Sequence, residues 1–287
     1  MQQITINLEG LGFECIVAGD EGRPLVIMMH NFLLTNQQWR EQIPALAEAG
    51  FRVLAPNMRG VSPQARPEKI LDYSNDELVG DILALAEHEA VEKFHLITHG
   101  WSSAIGWNLA AQHPDVLHSF TAVSTPHPSA LSFAIDDETS RQVEMLDKIA
   151  NFCNNNASVR LLANDAEALR QYYQSCGISE ESAAMYLARY GRAEAIQGFV
   201  NWHGLQVDGL ASTVIDKVQV PTLFVWGEDD PLFSPVSAQQ CADNVSADYC
   251  YEPLKNVGHM VGEEIPAQLT AKILGHLNKQ QRPSAGC

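Results

Sequence analysis

Short, continuous runs of apolar residues alternate along the chain with longer segments in which apolar residues recur at helical spacing. Strands that are buried on both faces of a parallel sheet have such uninterrupted apolar runs. The alternation therefore predicts an α/β fold with a parallel sheet and right-handed crossovers. The predicted strands are residues 25–29, 53–55, 94–98, 120–123 and 222–226, and the predicted helices are residues 37–49, 75–87, 102–112 and 265–277.

The alternation stops near residue 129 and returns near Val218. Between these points helical spacing predicts helices at residues 140–152, 165–173 and 179–189, the last with Ser179 as its N-cap. A helical block inserted into such a sheet typically covers the carboxyl ends of the strands, where ligands bind. We therefore predict a core formed by residues 1–128 and 213–287 and a helical cap formed by residues 129–212.

Composition and charge narrow the functional classes. The chain has 287 residues, 46% of them hydrophobic, and a formal net charge of −17. This length allows a sizeable core, and the negative charge argues against nucleic acid and anionic membranes as partners. The start of the chain has no leader pattern, no apolar run reaches the roughly 18 residues of a membrane span, and the six cysteines are scattered. We predict a cytoplasmic protein that acts on a small molecule; a homodimer is compatible with the sequence.

Four short motifs follow one another along the chain: His30-Asn-Phe-Leu33, Asn57-Met-Arg-Gly60, Trp226-Gly-Glu-Asp-Asp-Pro231 and Gly258-His-Met-Val-Gly-Glu-Glu-Ile-Pro266. In this order they resemble the His-Gly-Phe-Pro, Asp-x-Arg-Gly, acid-loop and histidine-loop motifs of α/β-hydrolase-fold proteins, in the branch of epoxide hydrolases and haloalkane dehalogenases. The resemblance covers nearly the whole chain. It implies a mostly parallel, twisted sheet flanked by helices, an inserted helical cap, and no cofactor or metal.

The turn Thr98-His-Gly-Trp-Ser102 departs from the family pattern. The family has Gly-His-nucleophile-Trp-Gly here, with aspartate as the nucleophile in this branch. Alignment of the flanking segments without a gap places Gly100 at the nucleophile position. A shifted motif with Ser102 as nucleophile requires a two-residue slip on both sides. In the favoured register Ser102 is rotated by about 200° around the helix, so it is a candidate for substrate binding and not for attack.

Glycine at position 100 has two interpretations. The residue at such a turn is held in a strained backbone conformation, which costs about 1–3 kcal/mol when a Cβ is present, and glycine relieves that strain. The first interpretation is an inactive enzyme that kept its fold, through natural loss or an engineered substitution. The second is an active site that keeps its base and gains room beside Gly100.

The resemblance assigns His259 as the general base and Asp230 as the carboxylate that orients it. Asp229, one position earlier, is the alternative acid. A histidine accepts a proton near neutral pH, and a buried carboxylate fixes its tautomer and stabilises the imidazolium. We therefore predict a His259–Asp230 dyad.

The resemblance also places the oxyanion donors and the substrate contacts. Backbone N–H groups of Phe32 and Trp101 correspond to the family's oxyanion donors. Asn31 replaces a family glycine, so its amide either points into the pocket or caps a local turn. Tyr186 and Trp202 are cap residues that we predict to contact substrate. The family's pair of epoxide-gripping tyrosines is incomplete, since residues 129–160 contain no tyrosine.

Three functions are compatible with a dyad that lacks a nucleophile. The leading hypothesis is hydrolysis of a small, largely apolar ester, lactone or epoxide by a water molecule that His259 activates beside Gly100. The second is a cofactor-free, base-driven reaction of a lyase, cyclase, isomerase or dioxygenase. The third is a non-catalytic pseudoenzyme or binding protein. Fold alone does not decide between them.

Overall fold

The computed structural model describes residues 1–152, 156–198, 200–201 and 215–281. Within this part of the chain eight strands form one sheet in the order β1-β2-β4-β3-β5-β6-β7-β8. Strand β2 pairs antiparallel with β1 and β4, and the remaining neighbours are parallel. The strands are β1 Gln2–Leu8, β2 Leu11–Ala18, β3 Leu25–Met29, β4 Arg52–Pro56, β5 Phe94–His99, β6 Leu117–Val123, β7 Thr222–Gly227 and β8 Tyr249–Leu254.

Helices cover both faces of the sheet. The order along the chain places α1 Gln42–Glu48 after β3, α2 Asn75–His88 after β4, α3 Trp101–Gln112 after β5 and α10 Pro266–Gln280 after β8. In β3, Leu25, Ile27 and Met29 pack with α2 and α3, while Val26 and Met28 pack with α1 and α10. Because both faces of the strand are buried, its sequence has no polar position, as the apolar run predicted.

A helical segment joins β6 to β7 where the cap was predicted. It contains α4 Pro128–Asp136, α5 Gln142–Phe152, α6 Ala157–Ser175 and α7 Glu180–Tyr190, and residues 193–198 are also helical. Ser179 caps α7, since its hydroxyl accepts a hydrogen bond from the Ser182 N–H. Two short helices, α8 Pro235–Gln240 and α9 Val261–Glu264, follow later in the chain. The division into core and cap stays a prediction.

Several predicted boundaries were wrong. The predicted helix 37–49 is a 3₁₀ turn, Asn36–Trp39, followed by α1. The predicted helix 165–173 begins earlier, in α6, which is interrupted at residues 163–166 by non-helical backbone. Strands β1, β2 and β8 were not predicted. No helix in the described ranges combines the length and the apolarity that crossing a membrane requires.

Candidate functional site

The turn from β5 to α3 is formed by Gly100, which has φ 60° and ψ −127°. Its N–H donates a hydrogen bond to the Val123 carbonyl at 2.9 Å, which ties the turn to the neighbouring strand β6. A residue with a Cβ is strained at this positive φ, and glycine is not. The backbone at Gly100 therefore has a conformation that suits a tight strand-to-helix turn, and position 100 has no side chain.

The side chain of Asn31 occupies the space that a side chain at position 100 would need. A Cβ built on Gly100 would lie 1.7 Å from Asn31 Oδ1 and 2.2 Å from its Cγ. Both distances are far shorter than van der Waals contact. The expectation of free room beside Gly100 was therefore wrong, because the carboxamide from the loop after β3 takes that room.

The two predicted oxyanion donors converge on this same carboxamide. The N–H groups of Phe32 and Trp101 donate to Asn31 Oδ1 at 2.7 and 3.2 Å. Two N–H donors require an acceptor, which identifies the atom facing them as the oxygen and directs the amide nitrogen the other way. Nδ2 lies 3.4 Å from Met260 Sδ. Asn31 thus makes a local bond to the next residue and also joins its loop to the start of α3.

The backbone of Asn31 is fixed as firmly as its side chain. Its N–H donates to Gln38 Oε1 at 2.8 Å. Its carbonyl lies 2.8 Å from His30 Nδ1, while His30 Nε2 accepts from the Met58 N–H at 3.1 Å, so Nδ1 carries the proton. Burial lowers the pKa of His30 to about 4, so this imidazole is neutral at pH 7. The loop is held in place by its own hydrogen bonds.

Two tyrosines from the helical segment also hold this loop. The hydroxyl of Tyr173 donates to the Leu33 carbonyl at 2.7 Å, and that of Tyr190 donates to the Leu34 carbonyl at 2.8 Å. Leu33 replaces a family proline and adopts a positive φ of 53°. Both tyrosines are fully buried. These phenols therefore support the loop from above and are not directed at a substrate.

Tyr186 was predicted to contact substrate, and the structure places it outside the wall of the cavity described below. Its hydroxyl donates to Glu263 Oε1 at 2.5 Å, beside the ion pair between Glu263 and Arg40. The side chain is buried in this cluster and does not line the cavity described below. Of the four tyrosines at positions 172–190, Tyr172 alone lines that cavity.

His259 and Asp230 are hydrogen-bonded. His259 Nδ1 lies 2.8 Å from Asp230 Oδ2, and Asp230 Oδ1 accepts from the Leu232 N–H at 2.8 Å. The Asp230 side chain is fully buried, whereas Asp229 is exposed. Because the carboxylate is the acceptor, Nδ1 carries the proton and Nε2 keeps its lone pair. This is the tautomer that a general base needs.

A second histidine, which the sequence analysis missed, supports the first. His99 Nε2 lies 2.8 Å from the His259 carbonyl, which also accepts from the Ser124 hydroxyl at 2.7 Å. Burial lowers the pKa of His99 to about 3, so it stays neutral and serves as a donor. The ring of Phe233 lies 5.9 Å from the His259 ring, centroid to centroid. The only sequence signal for this arrangement was the position of His99 directly before the turn.

Ser102 was predicted to bind substrate, and the structure places it elsewhere. Its hydroxyl accepts from the His99 N–H at 3.0 Å and lies 3.0 Å from the Met29 carbonyl. The side chain is fully buried and does not line the cavity. Its place one half-turn into α3 directs it back towards the sheet, as the rotation predicted.

We expect Ser102→Ala to affect stability and not turnover. Removing the hydroxyl leaves the buried His99 N–H without its acceptor, which should lower the free energy of unfolding by about 1–3 kcal/mol. Urea unfolding measures this loss, and a steady-state assay at a temperature where the variant is folded measures turnover. A folded variant without activity would show that Ser102 belongs to the reaction after all.

A cavity of about 670 Å³ opens against the loop, the turn and the histidine. Its wall includes Asn31, Phe32, Trp101 and His259, so four predicted site residues share one space. Trp202, also predicted, lies outside the described residues. In the described ranges no group of three or more His, Cys, Asp or Glu side chains is arranged to hold a metal ion. Other residues of the cavity wall include Tyr172, Cys176, Asp229, Phe233, Met260 and Glu264.

Comparison with known proteins identifies the fold family. The sequence profile of the alpha/beta hydrolase fold matches residues 24–264. The chain belongs to the α/β-hydrolase family. Epoxide hydrolase A of Mycobacterium tuberculosis is 26% identical to this α/β hydrolase, with 95% of the chain and 96% of the relative covered. The AB hydrolase superfamily protein YfhM of Bacillus subtilis is 27% identical, with 96% and 97% covered.

Solved structures of epoxide hydrolases have the same fold as this chain. Epoxide hydrolase A from Mycobacterium thermoresistibile superposes with a TM-score of 0.82 at 23% identity, covering 96% of this chain and 98% of that one. The Bacillus megaterium epoxide hydrolase in complex with an inhibitor gives a TM-score of 0.87 at 19% identity, covering 96% and 100%. The solved structures confirm the predicted fold, and the sequence relative Epoxide hydrolase A supports the resemblance to the epoxide hydrolase branch.

Proposed function

We propose that this α/β hydrolase opens a small, largely apolar epoxide by direct attack of water, without a covalent intermediate. His259 is the general base and Asp230 orients it. The observation that carries the proposal is the His259–Asp230 hydrogen bond of 2.8 Å, with His259 in the wall of a cavity that is also lined by Trp101, the residue directly after Gly100. The sequence relative named Epoxide hydrolase A supports the substrate class.

The contacts of Asn31 favour an epoxide over an ester or lactone. Hydrolysis of a carbonyl compound passes through a tetrahedral oxyanion that N–H donors must stabilise. The N–H groups of Phe32 and Trp101 already donate to Asn31 Oδ1. Opening of an epoxide develops its negative charge on the leaving ring oxygen, at a different place from the attacked carbon. This reaction does not need the two backbone donors.

The proposed step balances in atoms and protons. His259 Nε2 removes a proton from water as the water oxygen forms a bond to one epoxide carbon, and the bond from that carbon to the ring oxygen breaks. The resulting imidazolium is stabilised by Asp230. The proton then passes from His259 to the alkoxide by way of solvent, which gives the diol and the neutral base.

A single-turnover experiment in H₂¹⁸O tests the proposal. With enzyme in excess over styrene oxide, direct attack of water should place one heavy oxygen in the diol of the first turnover. A covalent route through a protein carboxylate, such as Glu264 or Asp229 in the cavity wall, would deliver an unlabelled oxygen first and label the protein. Mass spectrometry of diol and protein distinguishes the routes. An unlabelled first diol, or no diol from any apolar epoxide tried, would overturn the proposal.

The second candidate is a base-driven reaction without water attack. The occupation of both the oxyanion donors and the nucleophile space by Asn31 favours it, since His259 then remains as the reactive group that can remove a proton. Exchange of a substrate proton with deuterated solvent, in the absence of any hydrolysis product, would support this candidate over the first.

A further inference from the structure

The Asn31 carboxamide accepts hydrogen bonds from the backbone N–H groups of Phe32 and Trp101 and also lies in the cavity wall. Its oxygen accepts from Phe32 and Trp101, and its nitrogen faces Met260, in the wall of the same cavity. We propose that Asn31 Nδ2 is the donor that stabilises the ring oxygen of the substrate as it leaves, in place of the backbone N–H groups. This inference rests on the proposed epoxide opening and names a further catalytic residue for it.

Polarisation makes the amide nitrogen a good donor. The two N–H groups withdraw electron density from Oδ1, and because an amide is conjugated, this increases the positive charge on the Nδ2 hydrogens. Hydrogen bonds in a chain strengthen one another in this way. The N–H groups of Phe32 and Trp101 therefore act on the reaction indirectly. They polarise the Asn31 amide at Oδ1, and the amide contacts the substrate oxygen through Nδ2.

The present partner of Nδ2 is easily exchanged for a substrate oxygen. An amide nitrogen has two hydrogens, and the acceptor that Nδ2 contacts among the described residues is the Met260 sulfur at 3.4 Å. A thioether sulfur is a weak acceptor. An alkoxide oxygen is a far stronger one, because hydrogen bonds to a charged group are about twice as strong as neutral ones. The interaction therefore increases as the ring opens, which is the condition for catalysis.

Tyr172 is the competing donor. It is the one cavity-wall tyrosine in the segment at positions 172–190. Its side chain also interacts with Cys176, the residue directly after the end of α6. Asn31, by contrast, is fixed by bonds to its backbone N–H, its carbonyl and its Oδ1. A preorganised donor loses less on reaching the transition state, so the geometry favours Asn31.

Two substitutions at position 31 separate a catalytic amide from a structural one. Asn31→Asp keeps the shape and keeps an oxygen that accepts from Phe32 and Trp101, but it removes the Nδ2 donor. Asn31→Ala removes both. If Nδ2 stabilises the leaving oxygen, Asn31→Asp should lower kcat for styrene oxide by about 10²–10³-fold, with KM changed little and thermal stability retained. If Asn31 only fastens the loop, Asn31→Asp should match the native protein and Asn31→Ala should be the impaired variant.

A pH profile controls for the added charge, because a carboxylate near His259 would favour the imidazolium and leave less of the free base near neutral pH. The loss expected here persists across the whole profile, whereas a pure charge effect disappears at high pH. Tyr172→Phe, compared directly, should lose less than Asn31→Asp. The inference is overturned if Asn31→Asp retains native kcat at its optimal pH, or if Tyr172→Phe shows the larger loss.

A binding measurement tests the donor role of Asn31 independently of the proposed epoxide hydrolysis. In a nuclear magnetic resonance titration with the diol product, the Asn31 side-chain NH₂ signals should shift while those of a control, Gln197 on the exposed surface, stay in place. If native protein opens no epoxide, the proposed function fails, and this titration decides the donor role by itself. Asn31 signals that stay unchanged at saturating diol would overturn it.

Discussion

Replacing His259 is expected to lower kcat for an epoxide by about 10²–10⁴-fold, the range in which a positioned general base contributes. Two variants share this expectation. His259→Ala removes the ring, whereas His259→Asn retains an amide nitrogen that can take the place of Nδ1 and donate to Asp230. The second variant leaves no base in the place of Nε2, and it avoids an unpaired buried carboxylate, since the Asp230 side chain is fully buried. Steady-state kinetics and thermal unfolding of both variants measure the effect.

Three acidic residues of the loop after β7 provide comparisons for the His259 variants. Asp230→Asn should cause a loss of similar size, because an amide that donates to Nδ1 forces the proton onto Nε2 and removes the lone pair that accepts a proton from water. Glu228→Gln, an exposed residue of the same loop, should retain activity. If Asp229→Asn were more harmful than Asp230→Asn, the alternative acid of the sequence analysis would be the true partner. Native turnover in folded His259→Asn would end the general-base assignment.

The interior of the sheet could be predicted from the sequence, and its edges could not. The five predicted strands lie between β2 and β8, and β3, β5 and β7 are buried at every position. Such strands need continuous apolar runs. The edge strands β1 and β8 are half exposed, with polar residues among the apolar ones, so their pattern does not stand out from that of a loop. In β2 the apolar run is broken by Glu14, which pairs with Arg189 in α7.

The candidate site could be predicted as a set of motifs but not as a set of contacts. The sequence analysis assigned Asp230 to His259, and these two side chains are hydrogen-bonded. It selected the N–H groups of Phe32 and Trp101 as oxyanion donors, and in the structure both donate to Asn31 Oδ1. The catalytic roles of these groups stay predictions. The contact between Asn31 Oδ1 and the Trp101 N–H joins two segments that lie 70 residues apart in the sequence. No local pattern indicates that contact, since an asparagine after a strand is equally typical of a turn.

The two departures from the family pattern explain each other in physical terms. In the alignment that the sequence analysis predicts, Asn31 stands where the family has glycine, and Gly100 stands where the family has a nucleophile. The Asn31 carboxamide, as it lies, excludes a side chain at position 100, because a Cβ there would be 1.7 Å from Asn31 Oδ1. The loop and the turn leave one space between them for such a side chain. It is filled from the loop here and from the turn in the family pattern.

The clash between Asn31 and a side chain at position 100 should have a large effect on the stability of Gly100 variants. Gly100→Asp alone should fold poorly, because the new Cβ collides with Asn31 and the positive φ adds strain of about 1–3 kcal/mol. Asn31→Gly combined with Gly100→Asp removes the collision and restores the family residue at both places. The double variant should be more stable than the single Gly100→Asp variant by at least the cost of that clash. Thermal unfolding of both variants and of Asn31→Gly alone measures this coupling.

The same double variant should change the reaction from direct to covalent. A carboxylate at the turn can attack an epoxide carbon and form an ester, which His259 then hydrolyses by activating water. Adding His259→Asn blocks that second step, so the ester should accumulate. After incubation with styrene oxide, mass spectrometry should find the triple variant heavier by one epoxide molecule. The matched control has Gly100→Asn in place of Gly100→Asp, because its amide has the same shape but is not a nucleophile.

The adduct experiment decides whether Asn31 alone separates this chain from a covalent enzyme. An adduct on the carboxylate variant and none on the amide control would show that the cavity, the loop and the two backbone donors remain arranged for ester formation. The native protein would then differ from that chemistry by the exchange of one side chain between two facing loops. A folded triple variant that stays unmodified, while the native protein opens the same epoxide, would show the opposite. The cavity would then hold the substrate carbon away from the turn, next to His259, where only water can reach it.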